Sequence, residues 1–161
     1  MDITITTFTG TLLQGKSTFL SLANDTTPQL WRQFIQEAKG SLPATINRYN
    51  VTVYPAGFDM RTFGDNTVMQ RWAAVEARVA GQWPQSWDTL EIPPGEYATF
   101  TYKGLPSGFG NALAYFYQQW LPSSGYVLDE RPHFEVLGPD YRPDDPDAEE
   151  TVWIPIKKPG L

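Results

Sequence analysis

Glu135 stands inside an otherwise apolar run, His133-Phe134-Glu135-Val136-Leu137, where a carboxylate could do chemistry. Because side chains alternate along a strand, Phe134 and Val136 would take one face and Glu135 the other. On a face open to water Glu135 would be an ordinary surface acid, and periodicity alone favours this interpretation because carboxylates are seldom buried. On a face that looks into an aromatic cleft, the desolvated carboxylate would have a raised pKa and an affinity for cations.

Residues 10–17 (GTLLQGKS) satisfy the phosphate-loop pattern. Such a loop binds phosphates because successive backbone N–H groups point at them from the start of a helix. Here the middle of the loop is Leu-Leu-Gln, and the residues that follow (TFLSLAN) alternate as in a strand. The chain also lacks the regular βαβ alternation of that fold and a convincing acidic partner for magnesium. We therefore predict a strand at this position rather than a nucleotide site.

Three further patterns have simpler structural interpretations. Gly108-Phe109-Gly110 lies between a strand and a helix, but Leu113 replaces the third glycine of a dinucleotide fingerprint, and we predict a loop. The acidic segment 140–150 is interrupted by prolines, unlike a calcium loop, and predicts a solvated surface. His133 is the only histidine, and the chain offers it neither a Gly-x-Ser-x-Gly serine nor a set of zinc ligands. We expect no metal and no cofactor.

The composition predicts one globular domain of 161 residues, with 41% hydrophobic and 19% charged residues. Aromatic residues make up 14%, which suits a core and a ligand pocket equally well. A net charge of −6 without a basic cluster argues against nucleic-acid contact and mildly favours cationic ligands. The absence of cysteine excludes disulfides and thiolate chemistry. With no signal peptide or membrane span in the sequence, we expect a cytoplasmic location.

The elements that must position these residues follow from the hydrophobic periodicity. Loops are predicted at 84–88 and 104–110, and residues 70–79 fit either a strand or a helix. Strands are predicted at 2–9, 17–22, 49–54, 97–102, 134–137 and 151–157, and helices at 28–38 and 112–120, the second ended by Leu121-Pro122.

Two parts of the chain, about 1–82 and 90–158, repeat the order strand, helix, strand, strand. The predicted fold is therefore α+β, with duplicated β-α-β-β halves. The halves would form antiparallel sheets with one main helix each and a central cleft between them.

Five segments of the C-terminal half follow one another in a specific order and spacing, namely Ile92–Phe100 (IPPGEYATF), Lys103-Gly104, Gln119–Tyr126 (QWLPSSGY), Pro132–Glu135 (PHFE) and Val152–Ile156 (VWIPI). In this arrangement the sequence resembles the GyrI-like family, which includes the effector-binding domains of AraC-type and multidrug-sensing transcription activators. Leu30–Phe34 and Ile46–Tyr49 look like the corresponding helix and strand entry of the N-terminal half, and Gly15 falls where the first strand of that family often carries glycine.

The resemblance implies that the cleft binds a ligand. In that family the glutamate of the Phe-Glu segment lies at the pocket floor and pairs with cationic aromatic drugs, and the matching residue is Glu135. Trp120 and Tyr97 match aromatic residues of the motifs and would line the cleft, with Trp153 on the neighbouring strand. Leu137 departs from the pattern of that family, in which an aromatic residue often follows at this position.

In the first half, the resemblance to a duplicated fold makes Glu76 a pseudo-symmetric counterpart of Glu135, with Trp72 beside it. The predicted ligand-binding set is therefore Glu135, Trp120, Tyr97, Trp153, Trp72 and Glu76.

The first functional hypothesis is a stand-alone small-molecule-binding protein for lipophilic cationic or aromatic compounds, which acts by sequestration or by sensing for a protein partner. Nothing in the chain resembles a DNA-binding helix-turn-helix, so operator contact by this chain is not expected. A second hypothesis, less favoured, is a hydrolase of reactive electrophiles with Glu135 as general acid or base. A third is a protein-interaction role such as gyrase inhibition, through the acidic segment 140–150.

Overall fold

An antiparallel sheet with helices on one face is the framework of the molecule. The computed structural model describes residues 1–79 and 83–160, so the boundary near residue 82 predicted for the first half lies outside the described residues. The strands of these residues are β1 Thr4–Phe8, β2 Thr11–Leu20, β3 Arg48–Val53, β4 Met69–Glu76, β5 Asp88–Ile92, β6 Gly95–Lys103, β7 Val127–Leu128, β8 His133–Leu137 and β9 Glu149–Lys157. Their helices are α1 Thr27–Ala38, α2 Phe109–Tyr115 and α3 Leu121–Ser124, with a 3₁₀ turn Pro106–Gly108 before α2 and a π-helical turn Phe116–Trp120 between α2 and α3.

The strand order is β1-β6-β9-β8-β3-β4-β2-β5, and β7 pairs with the end of β9. The α+β class is confirmed, but the two halves merge into one continuous sheet because β3 pairs directly with β8, with Asn50 opposite Glu135. The outer strands exchange partners between the halves. Strand β1 pairs with β6 of the second half, and β5 pairs with β2 of the first half.

Both helical segments pack on the same face of this sheet. Helix α1 buries Leu30, Phe34 and Ala38 against Ala73 and Val75 of β4. In the second half, Phe116 of the π-helical turn packs against apolar side chains of β6 and β9, which are Ala98, Phe100, Val152, Ile154 and Ile156. The two central strands, β3 and β8, therefore lie between the helical segments. Across the described residues, no helix combines the length and the apolar character that crossing a lipid bilayer requires.

The opposite face of the sheet carries its own core. Its buried members come from six strands and are Leu13, Tyr49, Val51, Trp72, Ala74, Ile92, Tyr97 and Phe134. The Phe8 ring of β1 lies 5.4 Å from the rings of Phe134 and Trp153 and 5.7 Å from that of Tyr97. An aromatic cluster of this kind buries a large apolar area and needs no ligand to complete it.

The run with the phosphate-loop pattern is a strand, as predicted, since β2 begins at Thr11. The ambiguous segment 70–79 forms β4 over Met69–Glu76. Strand β5, Asp88–Ile92, was not predicted, because DTLEI is short and carries two acids on an exposed edge.

The second helical segment does not end at Leu121-Pro122, as the sequence suggested, but continues through α3 to Gly125, whose φ is +80°. Proline usually ends a helix because it has no N–H to donate. Here the wider π-helical turn directly precedes Leu121, whose N–H bonds to the carbonyl oxygen of Phe116, and Pro122 lies in the first turn of α3.

Candidate ligand-binding groove

The candidate site is the strip of β3 and β8 between the helical segments, which we call the groove and define by its two central residues, Asn50 and Glu135, and by the side chains around them. Asn50 of β3 and Glu135 of β8 are opposite each other in the strand register and share the helix-bearing face. Trp31 of α1 reaches Asn50 from one side. Burial raises the pKa of the Tyr117 hydroxyl in the π-helical turn, and the nearby Tyr54 and Glu135 add to the rise. All four side chains are partly buried, as expected for the walls of an open groove.

Glu135 is held by a relay of two hydrogen bonds. The indole Nε1 of Trp31 donates to Oδ1 of Asn50 at 3.0 Å, and Nδ2 of Asn50 donates to Oε1 of Glu135 at 3.1 Å. The first bond fixes the orientation of the amide, so that its donor must face the carboxylate. Burial raises the pKa of Glu135, while Arg71 and the bond from Asn50 oppose the rise. Among the described residues, no basic side chain forms an ion pair with Glu135 within 4.0 Å.

One end of the groove is closed by aromatic rings. Tyr54 follows β3 and stacks on Phe58 with ring centroids 3.9 Å apart, and the Phe63 ring meets it edge-on at 6.0 Å. His133 of β8 packs against the Tyr54 ring at 4.7 Å. Burial lowers the pKa of His133 to about 3 and raises the pKa of Tyr54 to about 12, so both side chains are uncharged near neutral pH.

The other end of the groove holds a second carboxylate, Glu150 of β9. In the strand register, Glu150 is opposite Leu137 of β8. It lies two residues before Val152, which is opposite Glu135. Burial raises the pKa of Glu150 to about 7, and the negative charge of Glu135 adds to the rise, while a hydrogen bond from Tyr141 opposes it. Glu150 is not among the predicted site residues, because the sequence places it at the end of the acidic segment 140–150. The sequence does contain one indication of its position. Glu150 alternates with Val152, Ile154 and Ile156, as residues on one face of a strand do.

Three of the predicted ligand-binding aromatic residues lie on the opposite face of the sheet. Trp153 is opposite Phe134 in the register, and the two rings stack at 5.4 Å with an interplanar angle of 10°. Tyr97 and Trp72 belong to the same buried core. Because Phe134 and Glu135 are consecutive in β8, their side chains point to opposite faces. The structure therefore does not bring Trp153, Tyr97 and Trp72 together with Glu135.

Glu76 is also on the face away from Glu135. Its Oε1 accepts a hydrogen bond from the Tyr49 hydroxyl at 2.9 Å, and its Oε2 pairs with Nε of Arg78 at 2.8 Å. Two open depressions of about 320 and 350 Å³ border Glu76 and Arg78. Glu76 is thus already paired within its own half of the chain and is separated from the groove by the sheet.

Trp120 is the predicted aromatic residue that does lie on the groove side of the sheet. Its ring stacks on Phe116 at 5.2 Å and packs against the apolar cluster under the second helical segment. The groove thus combines Glu135 with aromatic residues that the sequence analysis did not select, chiefly Trp31, Tyr54 and Tyr117. A groove of this composition can bind an apolar body against rings and place a positive charge beside a carboxylate.

A sequence model of the family described as GyrI-like small molecule binding domain matches residues 1–157. A search of curated proteins gave no significant match.

Several solved structures have a similar fold. An integron cassette protein from the mobile metagenome of Vibrio cholerae has a TM-score of 0.69 at 15% identity, over 96% of this chain and 95% of its own. The protein SAV2435, solved bound to tetraphenylphosphonium, has a TM-score of 0.66 at 15% identity, over 98% of this chain and 94% of its own. A hydrolase from Listeria innocua has a TM-score of 0.62 at 11% identity, over 96% and 91%.

At these identities the solved structures support the fold and carry neither a ligand nor an activity over to this chain. The family model covers all but the last few residues of the sequence. The chain therefore belongs to the GyrI-like family of small-molecule-binding domains.

Proposed function

We propose that the protein binds lipophilic organic cations in the groove, with Glu135 as their counter-charge, and that it acts by sequestering or sensing these compounds. The observation that carries this proposal is the setting of Glu135, a partly buried carboxylate at the centre of the sheet, between two helical segments and among aromatic rings. Asn50 donates a hydrogen bond to Oε1 of Glu135. No basic side chain of the described residues forms an ion pair with this carboxylate within 4.0 Å.

A buried carboxylate without a close cation costs free energy in the unliganded protein. A ligand that brings a positive charge removes this cost, whereas a neutral ligand of the same shape leaves it in place. A cation in the groove would also be attracted to the faces of the aromatic rings of Trp31, Tyr54 and Tyr117. Each well-placed ring contributes about 0.5–2 kcal/mol of cation–π interaction energy. The groove is therefore expected to select for charge as well as for apolar surface.

Tetraphenylphosphonium is a suitable first probe, because a protein of the same fold has been solved with it. We expect it to stabilise this protein against heat, by about 2.7 kcal/mol at a concentration one hundred times its dissociation constant. The neutral triphenylphosphine oxide presents similar phenyl groups without the charge and is expected to produce a much smaller shift. Differential scanning fluorimetry and isothermal titration calorimetry would measure both.

The decisive variant is Glu135→Gln, which keeps an oxygen to accept the bond from Asn50 and removes the charge. We expect its affinity for tetraphenylphosphonium to fall by about tenfold to one hundredfold. Glu76→Gln is the matched control, since it removes the same charge from the other face of the sheet and should leave the affinity unchanged. Equal binding of the cation by wild-type and Glu135→Gln protein, or equal binding of the cation and its neutral analogue, would refute the proposal.

A further inference from the structure

We infer that the groove is polarised along its length and prefers cations that carry a second positive centre on the Glu150 side. This inference rests on the proposed function, because it specifies the class of ligand that the same groove takes. It depends on three features of the structure: the position of Glu150, the character of the opposite end, and the way in which nearby basic side chains are held.

Glu150 faces the same groove as Glu135. In the register of β8 and β9, Glu135 is opposite Val152 and Leu137 is opposite Glu150, so the two carboxylates form a diagonal pair on one face. Diagonal neighbours on adjacent antiparallel strands lie roughly 7–8 Å apart. Two carboxylates placed in this way can each meet one positive centre at the two ends of a short aromatic body.

The opposite end of the groove cannot take a second positive charge. Arg71 of β4 lies in the row that contains Thr52 and His133, and its own charge acts on Glu135. Its Nη1 is held by Oγ1 of Thr27 at 2.9 Å. Beyond this row lie Tyr54 and its ring cluster, which carry no charge near neutral pH. A ligand with two unlike ends would therefore place its aromatic end here and its cationic end towards Glu150.

Arg48 is the basic side chain that could neutralise Glu150 from within the sheet, since it shares the row of Leu137 and Glu150. Its Nη2 instead donates to the carbonyl oxygens of Gly138 at 3.1 Å and Pro139 at 3.3 Å. No ion pair within 4.0 Å joins Glu150 to a basic side chain of the described residues. Glu150 is therefore available to a ligand.

Because the pKa of Glu150 is about 7, part of the unliganded protein carries a proton on this carboxylate near neutral pH, which lowers the repulsion between the two acids. Burial and then the charge of Glu135 raise the pKa of Glu150, and a hydrogen bond from Tyr141 opposes the rise. The other groups in its row are Tyr102 of β6 and Arg48 of β3. When the second positive centre of a ligand approaches, the ionised form is favoured, and the proton leaves to solvent. Dication binding should therefore release protons, whereas monocation binding should release few.

The test compares methyl viologen, a flat aromatic dication, with N-methyl-phenylpyridinium, a monocation with a similar two-ring framework. We expect the wild-type protein to bind the dication about tenfold more tightly in isothermal titration calorimetry. In Glu150→Gln this preference should disappear while the affinity for the monocation is retained. Calorimetry in two buffers with different ionisation enthalpies should detect proton release at pH 7 when the dication binds the wild-type protein and none when it binds Glu150→Gln.

A net charge of −6 favours dications everywhere on the surface, so a control for long-range attraction is needed. Glu149→Gln provides it, because Glu149 is the exposed neighbour of Glu150 and its removal changes the net charge equally. This variant should keep the full preference. Equal affinities of the two cations for the wild-type protein would overturn the inference, and so would a preference for the dication that is lost equally in both variants. In either case, binding of the monocation that depends on Glu135 would leave the proposed function intact. Failure of both cations to bind while tetraphenylphosphonium binds would also overturn the inference, and failure of all three cations would refute the proposed function itself.

Discussion

Replacing Glu150 with glutamine is expected to raise the free energy of unfolding by about 2–3 kcal/mol at about pH 8 and to change it little at about pH 4. In the unfolded chain this carboxyl ionises near its ordinary pKa of 4.5, whereas in the folded protein its pKa is about 7. The proton on Glu150 therefore stabilises the fold fully below 4.5, and this contribution is lost as the pH rises through about 7. The shift corresponds to about 3 kcal/mol, which we reduce slightly because the side chain keeps some solvent contact.

Urea unfolding of both proteins over a series of pH values would measure this effect. The comparison has to be made between variants, because His133 acts on the wild-type curve in the opposite direction. Its pKa is lowered from 6.5 to about 3 in the folded protein, so it destabilises the fold as the pH falls below 6.5. This contribution is common to both proteins and cancels in their difference. A difference that does not change with pH would show that Glu150 ionises normally in the fold.

The substitution Gly15→Ala is expected to cost about 3 kcal/mol or more in stability. Gly15 is buried in β2, where the chain pairs with β4 on one side and β5 on the other. A Cβ atom at this position would lie 2.0 Å from the carbonyl oxygen of Ala73 and 2.7 Å from Cα of Ala74. Both are backbone atoms, so no side-chain rotation can relieve the contact and the strands must separate. Thermal and urea unfolding would measure the loss.

Gly64→Ala is the matched control for this experiment. A Cβ atom at Gly64 would meet no atom within 4 Å, and the residue does not have a positive φ. We expect a change within about 0.5 kcal/mol. A Gly15→Ala protein as stable as the control would mean that β2 and β4 do not approach each other as closely as described.

Much of the sheet could be predicted from the sequence, because alternation and β-branched residues mark β1, β3, β6, β8 and β9 clearly. The phosphate-loop pattern was correctly set aside, since the residues around it alternate as in a strand. Strand β5 was missed because its exposed edge position removes the apolar pattern by which strands are recognised. Continuation of the helix past Pro122 was missed because a π-helical turn has no simple signal in local sequence.

Glu135 could be selected from the sequence, but its surroundings could not. Alternation fixes which residues of one strand share a face, yet it does not say which strands are neighbours or which face the helices cover. The family resemblance therefore led to Trp153 and Tyr97, whose rings pack in the core behind the sheet. The positions of Trp31 and Glu150 in the groove follow only from the strand register, which places Asn50 and Val152 opposite Glu135.

The exchange of outer strands makes the two halves dependent on each other. Thr4 pairs with Thr99, and Thr11 with Ile92, so each half is completed by a strand that the other half provides. If the polypeptide were cut between β4 and β5, each fragment would carry one orphan strand and two sheet edges that are paired in the intact molecule. We expect such fragments to aggregate when produced singly and to reconstitute the native molecule when co-expressed. Pairings between such distant residues also predict slow, all-or-none folding, with little structure gained before the last strands close.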